Sequence, residues 1–581
     1  MADQLSGSYL VLTAGLLAGV AGLLVQSGEP PPVRGRDAPG TSFSAERAQS
    51  DIATLVALGP RPLNVRRQPP APAHESARDL LLERMRQLGL SPQLQSTEIC
   101  EPNGDCWQVE NLLGRLDPQA VSGGQLSEPA AAPAKNRAVL LLSHYDSVAA
   151  GPGAGDAASG VGVVLEIARA LRESRSLRRP LLVVLDDGEE VGLLGARAFL
   201  QHPWAQEVGA ILNFEARGTA GQTAMFETSE RSAWLVELYR DATIRPVASS
   251  VIYTLYRMLP NDTDLTITKA AGIAGLNFAF ADADWNYHTS RDDLEHLDLR
   301  SVQHMGDQGL GVARALTELA ELPQPSDQDA VWFDLFTHGL VVYRASLARG
   351  LALGLAIAYL AVLGLLCRRR RGRGILEGLG RQAMVTLGAV LGGQLVHKAI
   401  AGLAGRPRPW REVPLPTFTA LLAVAVVLGS GSSLLVDWLR SRRSADGDAA
   451  GQLLGALVPF LAAAVVLSWR AVGASYPFTL PALAFVIPMG LLLLKPGRTS
   501  VLATWMALLP GLLATALLWF PLLRVVRVMV GAQLAVGVTV PAALVLGLFE
   551  MQAGLYRPRA RLIAVGVATI VLLISVGWAA R

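Results

Sequence analysis

The sequence predicts two fold classes in one chain. The first is an α/β domain built on a mixed, mainly parallel sheet with helices on both faces, and the second is an all-α polytopic membrane domain. Three observations predict this. Charge is unevenly placed: of 48 Asp and Glu, 42 lie before residue 341 and six after it, whereas Lys and Arg divide 27 to 24. The first 340 residues therefore carry a formal charge of −15 and the last 241 carry +18, which leaves a net +3 for the chain. Short β-rich runs alternate with helical periodicity in the acidic half, and the basic half is a series of long apolar stretches. Overall the chain is 51% hydrophobic and 17% charged, against about a quarter charged in ordinary soluble proteins. A single soluble domain and a disordered chain are excluded. So is a nucleic-acid binder, because the basic half owes its sign to missing carboxylates and its Arg residues stand between apolar runs.

Taken in order, residues 1–26 contain an apolar stretch from Leu10 to Val25, at the lower limit of about 17 residues for a membrane span. Its flank holds Asp3 in place of a basic segment, so an uncleaved signal-anchor is expected rather than a cleaved leader. A linker follows at 27–43, then the α/β domain at 44–322 and a second linker or interfacial segment at 323–346. The membrane domain, 347–581, offers eight further spans near 350–367, 383–403, 416–435, 452–469, 477–494, 501–520, 529–549 and 562–580. Each can cross about 30 Å of hydrocarbon as a helix. With the loop Arg368–Arg381 in the cytoplasm, cytoplasmic loops hold 14 Lys and Arg, and the opposite loops hold six, Arg406, Arg408, Arg411, Arg470, Arg524 and Arg527. The positive-inside rule favours that orientation. It places the α/β domain outside the cytoplasm, periplasmic or at the cell surface in a bacterium and lumenal in a eukaryote. Cysteine use agrees. Cys100 and Cys106 bracket the turn sequence Glu-Pro-Asn-Gly-Asp between two short β-like runs, and outside the cytoplasm they are expected to form a hairpin disulfide. Cys367 is expected as a free thiol. His397 and Lys398 fall inside a candidate span, where ionisable groups are functional candidates by default, but no partner for either is legible.

In the α/β domain, helical periodicity covers Ala77–Leu88, ended by Gly89, and Val161–Leu171. The β-rich runs are Ala138–Leu142, Leu181–Leu185, Ala210–Phe214 and Ile273–Phe280. Strands alternating with helices imply a largely parallel sheet covered on both faces. Ligands in such sheets sit at the C-terminal strand ends, and there the chemistry clusters. Ser143-His144-Tyr145-Asp146 follows the first run, Asp187-Gly188-Glu189-Glu190 the second and Glu215 the third, with His288 eight residues past the fourth. A glycine-rich loop, Gly151 to Gly155, delivers Asp156 just before a helix. Imidazoles and carboxylates in this combination suit zinc or a related divalent ion. Two His and three carboxylates exceed what one tetrahedral zinc needs, and they suffice for two ions if one carboxylate bridges. His74, His202, His296, His304 and His338 fit no such pattern and are read as structural or surface residues.

The ordered series SHYDS, GPGAGDAASG, GEEVGLLG, NFEARG and YHTSRDD, with GPRPL before it and NDTDL within it, resembles metallopeptidase family 28, the co-catalytic zinc exopeptidases. The resemblance covers about residues 44–300. With the flanking spans, the chain is similar to the membrane-anchored branch of endoplasmic reticulum and vacuolar membrane peptidases. The resemblance implies a zinc-aminopeptidase-like fold and two Zn2+ per chain. Asp156 would bridge the ions, with His144 and Glu215 completing one site and Glu190 and His288 the other. It further implies Glu189 as general base, Asp146 as the partner orienting His144, and a cis peptide after Asp156. Arg217, Asp262, Asp264 and Tyr287 are expected around the substrate. One departure stands out: many members carry a GADDNASG-like run, whereas here Gly155 and Ala157 flank Asp156.

The expected function is an integral-membrane zinc exopeptidase, an aminopeptidase, hydrolysing peptides on the extracytoplasmic side. A single-zinc glutaminyl cyclase, using Asp156, Glu190 and His288 alone, and a non-catalytic receptor or scaffold remain as alternatives. Amino- and carboxypeptidase action are not separated by the residues. Expected partners are peptide and the lipid bilayer, with self-association through the membrane helices left open.

Overall fold

The computed structural model describes residues 26–65, 71–118, 138–323, 329–368, 373–403, 449–494 and 501–530, with scattered residues in 12–23, 417–428, 542–548 and 568–576. The chain divides into two compact units, Ser27–Arg344 and Met1–Gln26 with Ala345–Arg581.

The first unit is built on a seven-stranded sheet of order β1-β2-β4-β3-β5-β7-β6. Its strands are β1 (Gln93–Cys100), β2 (Cys106–Leu116), β3 (Ala138–His144), β4 (Leu181–Asp186), β5 (Val208–Ala216), β6 (Ala224–Thr228) and β7 (Ala274–Phe280). The central four, β4-β3-β5-β7, are parallel, whereas β1, β2 and β6 run antiparallel to their neighbours. The β1–β2 hairpin is closed by the Cys100–Cys106 disulfide. Continuous apolar runs make the central strands because both faces are covered. Val139 and Leu141 join one buried cluster with Val183, Leu212 and Phe214, and Ala138, Leu140 and Leu142 join another with Leu182, Val184 and Ile211.

Four helices cover the first face or its rim: α1 (Ala45–Val56), α2 (Pro72–Gln87), α3 (Gly160–Ser174) and α8 (Leu299–Glu318); in the chain between α3 and α8 lie α4 (Leu194–Phe199), α5 (Ala233–Ala242), α6 (Ser250–Tyr256) and α7 (Asp264–Ala270). Local chemistry sets their ends. The Ser44 hydroxyl accepts from the Arg47 N–H to start α1, and the Asp298 carboxylate accepts from the Arg300 N–H to start α8, as N-cap residues do. Gly89, with φ 69°, follows α2 in the left-handed conformation that a glycine stop supplies. The helix α8 lies close on its neighbours through Gly306 and Gly309, whose missing side chains leave room for Phe43 and Phe214.

Two segments expected as linkers belong to this unit. Residues 323–346 hold a β-hairpin, β8 (Ala330–Asp334) and β9 (Leu340–Arg344), whose Val331, Trp332 and Phe333 are buried. Apolar burial, unreadable in so short a run, makes it structural. Residues 27–43 are pinned by Phe43, fully buried, and by the Arg34 N–H donating to Gln303.

Among the described residues of the second unit, five helices are long and apolar enough to cross a membrane: Ala345–Arg368, Gly374–Leu403, Ala450–Arg470, Tyr476–Leu494 and Leu502–Leu523. They correspond to five of the eight expected C-terminal spans. The second starts about ten residues earlier than expected, so Arg381 lies on a helix and not in the loop after Arg368. Its first turns are polar enough to hide from a hydropathy reading, yet they pack: the backbones at Gly378 and Gln452 approach so closely that a Cβ on Gly378 would lie 1.8 Å from the Gln452 oxygen. His397 and Lys398 lie on this same helix. Thr419–Leu428 is a shorter apolar helix. The rest of the stretch near 416–435, most of 529–549 and 562–580, and most of the N-terminal stretch lie outside the described residues. Leu353, Ile357 and Leu360 on Ala345–Arg368 are exposed, as suits a helix whose solvent is hydrocarbon. Phe460, Phe478 and Trp519 pack edge to face, and the Trp519 indole N–H donates to the Pro477 carbonyl at 2.8 Å.

Candidate metal centre

The C-terminal ends of β3, β4, β5 and β7 lie along one edge of the sheet, and the loops leaving them bring five side chains together. His144 ends β3, Glu215 lies near the end of β5, Glu190 follows β4, and His288 follows β7. Asp156 sits in an irregular turn, Ala154–Ser159, leading into α3, and the Asp156–Ala157 peptide is cis. Ligand atoms of His144, Asp156 and Glu215 fall within 4.8 Å of one another, as do those of Asp156, Glu190 and His288.

Asp156 is common to both groups and divides its oxygens between them. Its Oδ1 is 3.2 Å from His144 Nε2, and its Oδ2 is 3.2 Å from His288 Nε2. His144 Nε2 lies 3.5 Å from Glu215 Oε2, and His288 Nε2 lies 3.0 Å from Glu190 Oε2. Glu190 Oε1 is buried without a hydrogen-bond partner. Buried polar atoms are ordinarily satisfied; here lone pairs converge on a common point instead. Two imidazoles and three carboxylates are also the donors that zinc accepts. The residues fit a pair of divalent ions.

The electrostatics carry the mark of that arrangement. Burial works against the charged form of Asp156, yet its hydrogen bonds with His144 and His288 outweigh it and hold the carboxyl down at about 2. Burial likewise opposes a proton on His288, but Asp156 and Glu190 overcome it and push the ring up to about 9. His144 is raised in the same way, burial being outweighed chiefly by Glu215 and by hydrogen bonds to Asp146 and Asp156. Burial, then the Asp156 charge, pushes Glu190 up to about 7. Glu189 is raised well above the usual range by burial and by the charges of Glu215, Asp156 and Glu190, against the opposing pull of His144.

The sign of the resulting pH dependence follows. A metal takes the neutral imidazole, so at any pH below the raised value of about 9 the His288 proton must leave on binding. Affinity for the ion on the His288 side is therefore expected to fall by at least about tenfold for each pH unit below that value, with proton release on binding. Chelator competition at several pH values between about 6 and 9 measures it; a flat profile would contradict the assignment.

Asp146 reaches the centre from behind. The His144 Nδ1–H donates to the Asp146 backbone carbonyl at 3.2 Å, with Oδ1 of the same residue 3.3 Å away, and the ring keeps the Nε2 lone pair for the ion. The Asp146 carboxylate accepts the backbone N–H groups of Glu189 and Glu190 at 3.2 and 3.3 Å. One buried residue thus holds the imidazole and the Glu189-Glu190 turn in fixed relation. The four residues expected around the substrate are placed differently. Tyr287 stacks on the His288 ring with centroids 3.8 Å apart. Arg217 is half-buried directly after β5, and Asp262 is exposed. Asp264 is fully buried in the first turn of α7, behind the surface a substrate would touch.

Sequence reasoning passed over the residues that brace these loops. Asp292 accepts the N–H of Gly155 at 2.6 Å and of Asp156 at 3.1 Å, and so fixes the turn carrying the shared carboxylate. Arg61 is fully buried and donates to the carbonyls of Tyr145 and Pro152 at 2.9 and 2.7 Å, tying the β3 loop to the glycine-rich loop. His74, read only as structural or surface, holds Asp187 at 2.7 Å beneath the Glu189-Glu190 turn. Arg61 lies in GPRPL and Asp292 in YHTSRDD, so the motifs contained the signal. Gly155, the departure noted above, has a reason in packing: a Cβ there would meet the Gly218 oxygen at 2.3 Å. Gly153, at φ 61°, supplies the left-handed turn that precedes it.

The sequence profile of Peptidase family M28 matches residues 127–313, the stretch that holds all five converging side chains. Human endoplasmic reticulum metallopeptidase 1 is 31% identical over 264 residues, 44% of this chain and 27% of that protein. The vacuolar membrane protease of Phaeosphaeria nodorum is 29% identical over 331 residues, 50% of this chain and 34% of that protein. The match thus spans about a third or less of these curated relatives. Among solved structures, a zinc aminopeptidase from Bacillus subtilis is 16% identical, with a TM-score of 0.37 over 50% of this chain and 98% of its own. Glutaminyl cyclase from Porphyromonas gingivalis is 22% identical, with a TM-score of 0.36 over 47% of this chain and 98% of its own. Residues 127–313 of this chain thus resemble a metallopeptidase domain of Peptidase family M28.

Proposed function

We propose that the chain is an integral-membrane exopeptidase, an aminopeptidase, that hydrolyses peptides outside the cytoplasm at a two-zinc centre. The observation that supports it most is the division of the Asp156 oxygens between His144 and His288, each with its own further carboxylate. A single-ion centre would need only one of those faces. When bound, the zinc pair would supply Lewis acidity toward the scissile carbonyl and toward water.

The chain's own residues then have distinct tasks. Asp156 would be shared by the ions, His144 and Glu215 would hold one, and Glu190 and His288 the other. Glu189 sits beside a ligand without belonging to either donor group. Its carboxylate would take a proton from the attacking water and return it to the leaving amine. The elevation caused by burial and neighbouring carboxylates brings its proton affinity toward that of the groups it must exchange with. Asp146 keeps His144 in the tautomer that presents Nε2, and Tyr287, stacked on His288, limits the swing of that ring.

The direction of cleavage is tested with paired peptides whose N-terminus is free or acetylated, offered to the zinc-loaded full-length protein. Turnover of the free peptides alone is the expected result. Cleavage confined to peptides with a free C-terminus, whatever the N-terminus, would make the enzyme a carboxypeptidase. Cyclisation of N-terminal glutamine without hydrolysis would make it a cyclase.

A further inference from the structure

A row of polar side chains crosses the sheet beside the metal centre. Asn213 on β5 is the direct neighbour of Asn277 on β7, which is the direct neighbour of Glu227 on β6. All three are fully buried, and the positions on either side are apolar: Leu212, Phe214, Leu276 and Phe278. The β6 strand shifts register between Met225 and Glu227 to bring the carboxylate into line. An apolar row would satisfy the core at lower cost, since each buried polar group must be fully paired.

The hydrogen bonds run in one direction. Lys269, on α7 and still partly exposed, forms an ion pair with Glu227 Oε1. Glu227 Oε2 accepts from the Asn277 amide at 2.9 Å, and that amide also donates to Thr263 Oγ1 at 2.8 Å. Asn277 Oδ1 in turn accepts from the Asn213 amide at 3.2 Å. The same Asn213 nitrogen donates at 3.2 Å to Oε1 of Glu215, the ligand residue two positions along the strand on the same face. An ionised carboxylate can only accept. Glu227 therefore compels Asn277 to present its nitrogen, which leaves its oxygen for Asn213 and compels Asn213 to present its own nitrogen toward Glu215. The oxygen of Glu215 that faces His144 is Oε2, so the amide holds the other one.

We propose that Asn213 is a positioning residue for Glu215, and that the Lys269–Glu227 ion pair at the far edge of the sheet sets its orientation through Asn277. Held this way, Glu215 presents Oε2 to the ion on the His144 side without having to be recruited from other rotamers. The His288 side has no such support from this row. Removing the Lys269 ammonium leaves a buried carboxylate without its counter-charge, and such a group takes up a proton. Its O–H can then donate to Asn277, and neither amide is any longer compelled to face as it does.

The inference rests on the two-ion reading, and the test separates the two. Zinc retention is followed in the detergent-solubilised full chain by chelator titration, and the step that survives in His288→Ala identifies the ion on the His144 side. Lys269→Met and Asn213→Ala are each expected to release that ion at about tenfold to 100-fold lower chelator concentration, the range for residues that back a metal ligand. The other step should stay in place, and Lys269→Arg should restore the wild-type profile. The double variant should be no weaker than Asn213→Ala alone, since Lys269 acts through Asn213. If Lys269→Met does not fold, the neutral pair Lys269→Met with Glu227→Gln carries the same readout. Equal weakening of both ions, additive effects in the double variant, or unchanged retention without the ammonium would overturn the relay alone. A wild-type chain holding one ion would overturn the relay and the two-ion reading together.

Discussion

Replacing Asp156 with alanine is expected to release both metal ions at once and to abolish peptide hydrolysis. Its two oxygens face opposite imidazoles at 3.2 Å each, so no other side chain in the centre is shared in this way. Loss of either flanking set, by contrast, leaves a His and carboxylates on the other side. The loss of affinity should exceed the roughly 100-fold that marks the upper end for a residue merely backing a ligand. Asp156→Asn is informative beside it, because the amide keeps the shape but offers one oxygen. It should retain one ion weakly. Metal analysis after gel filtration reads both results, and retention of two ions in Asp156→Ala would remove the residue from its proposed place.

The second large effect is expected at Glu189. Glu189→Gln keeps size and the backbone N–H that donates to Asp146, and it removes only the capacity to take a proton. Turnover should fall by about 10²–10⁴-fold, the usual range for a general acid–base group, with both ions retained and KM little changed. That pattern distinguishes a proton carrier from a ligand, since a ligand variant would lose metal together with rate. Full activity in Glu189→Gln would show that the proton leaves by another route.

Much of the fold of the first unit, and the convergence of the five side chains, was legible because both rest on local signals. The central strands read as unbroken apolar runs, since Val139, Leu140 and Leu141 are all buried whichever face they point to. The proposed ligands follow those runs at the strand ends, where a parallel sheet presents its loops. What escaped reading depends on partners distant in sequence. Asn213, Asn277 and Glu227 look like stray polar residues in three separate strands until the register lines them up. Arg61 is an ordinary basic residue until its side chain is seen spanning the loops after β3. The β8–β9 hairpin was hidden in an expected linker for the same reason, its apolar residues being buried by contacts that no short window contains. In the membrane unit, apolar stretches marked the helices well, but the start of the helix Arg373–Leu403 is polar and its close approach at Gly378 has no signature in hydropathy.

The opening contrast of charge acquires a physical sense from the centre. Three carboxylates and two imidazoles of the acidic half converge with no Lys or Arg among them, and the buried Arg61 donates to backbone carbonyls. Divalent ions would balance this cluster. Zinc per chain in the purified full-length protein is therefore the most direct test. The account predicts two ions, the wild-type protein losing them in separate chelator steps; a single ion per fully active chain would contradict it.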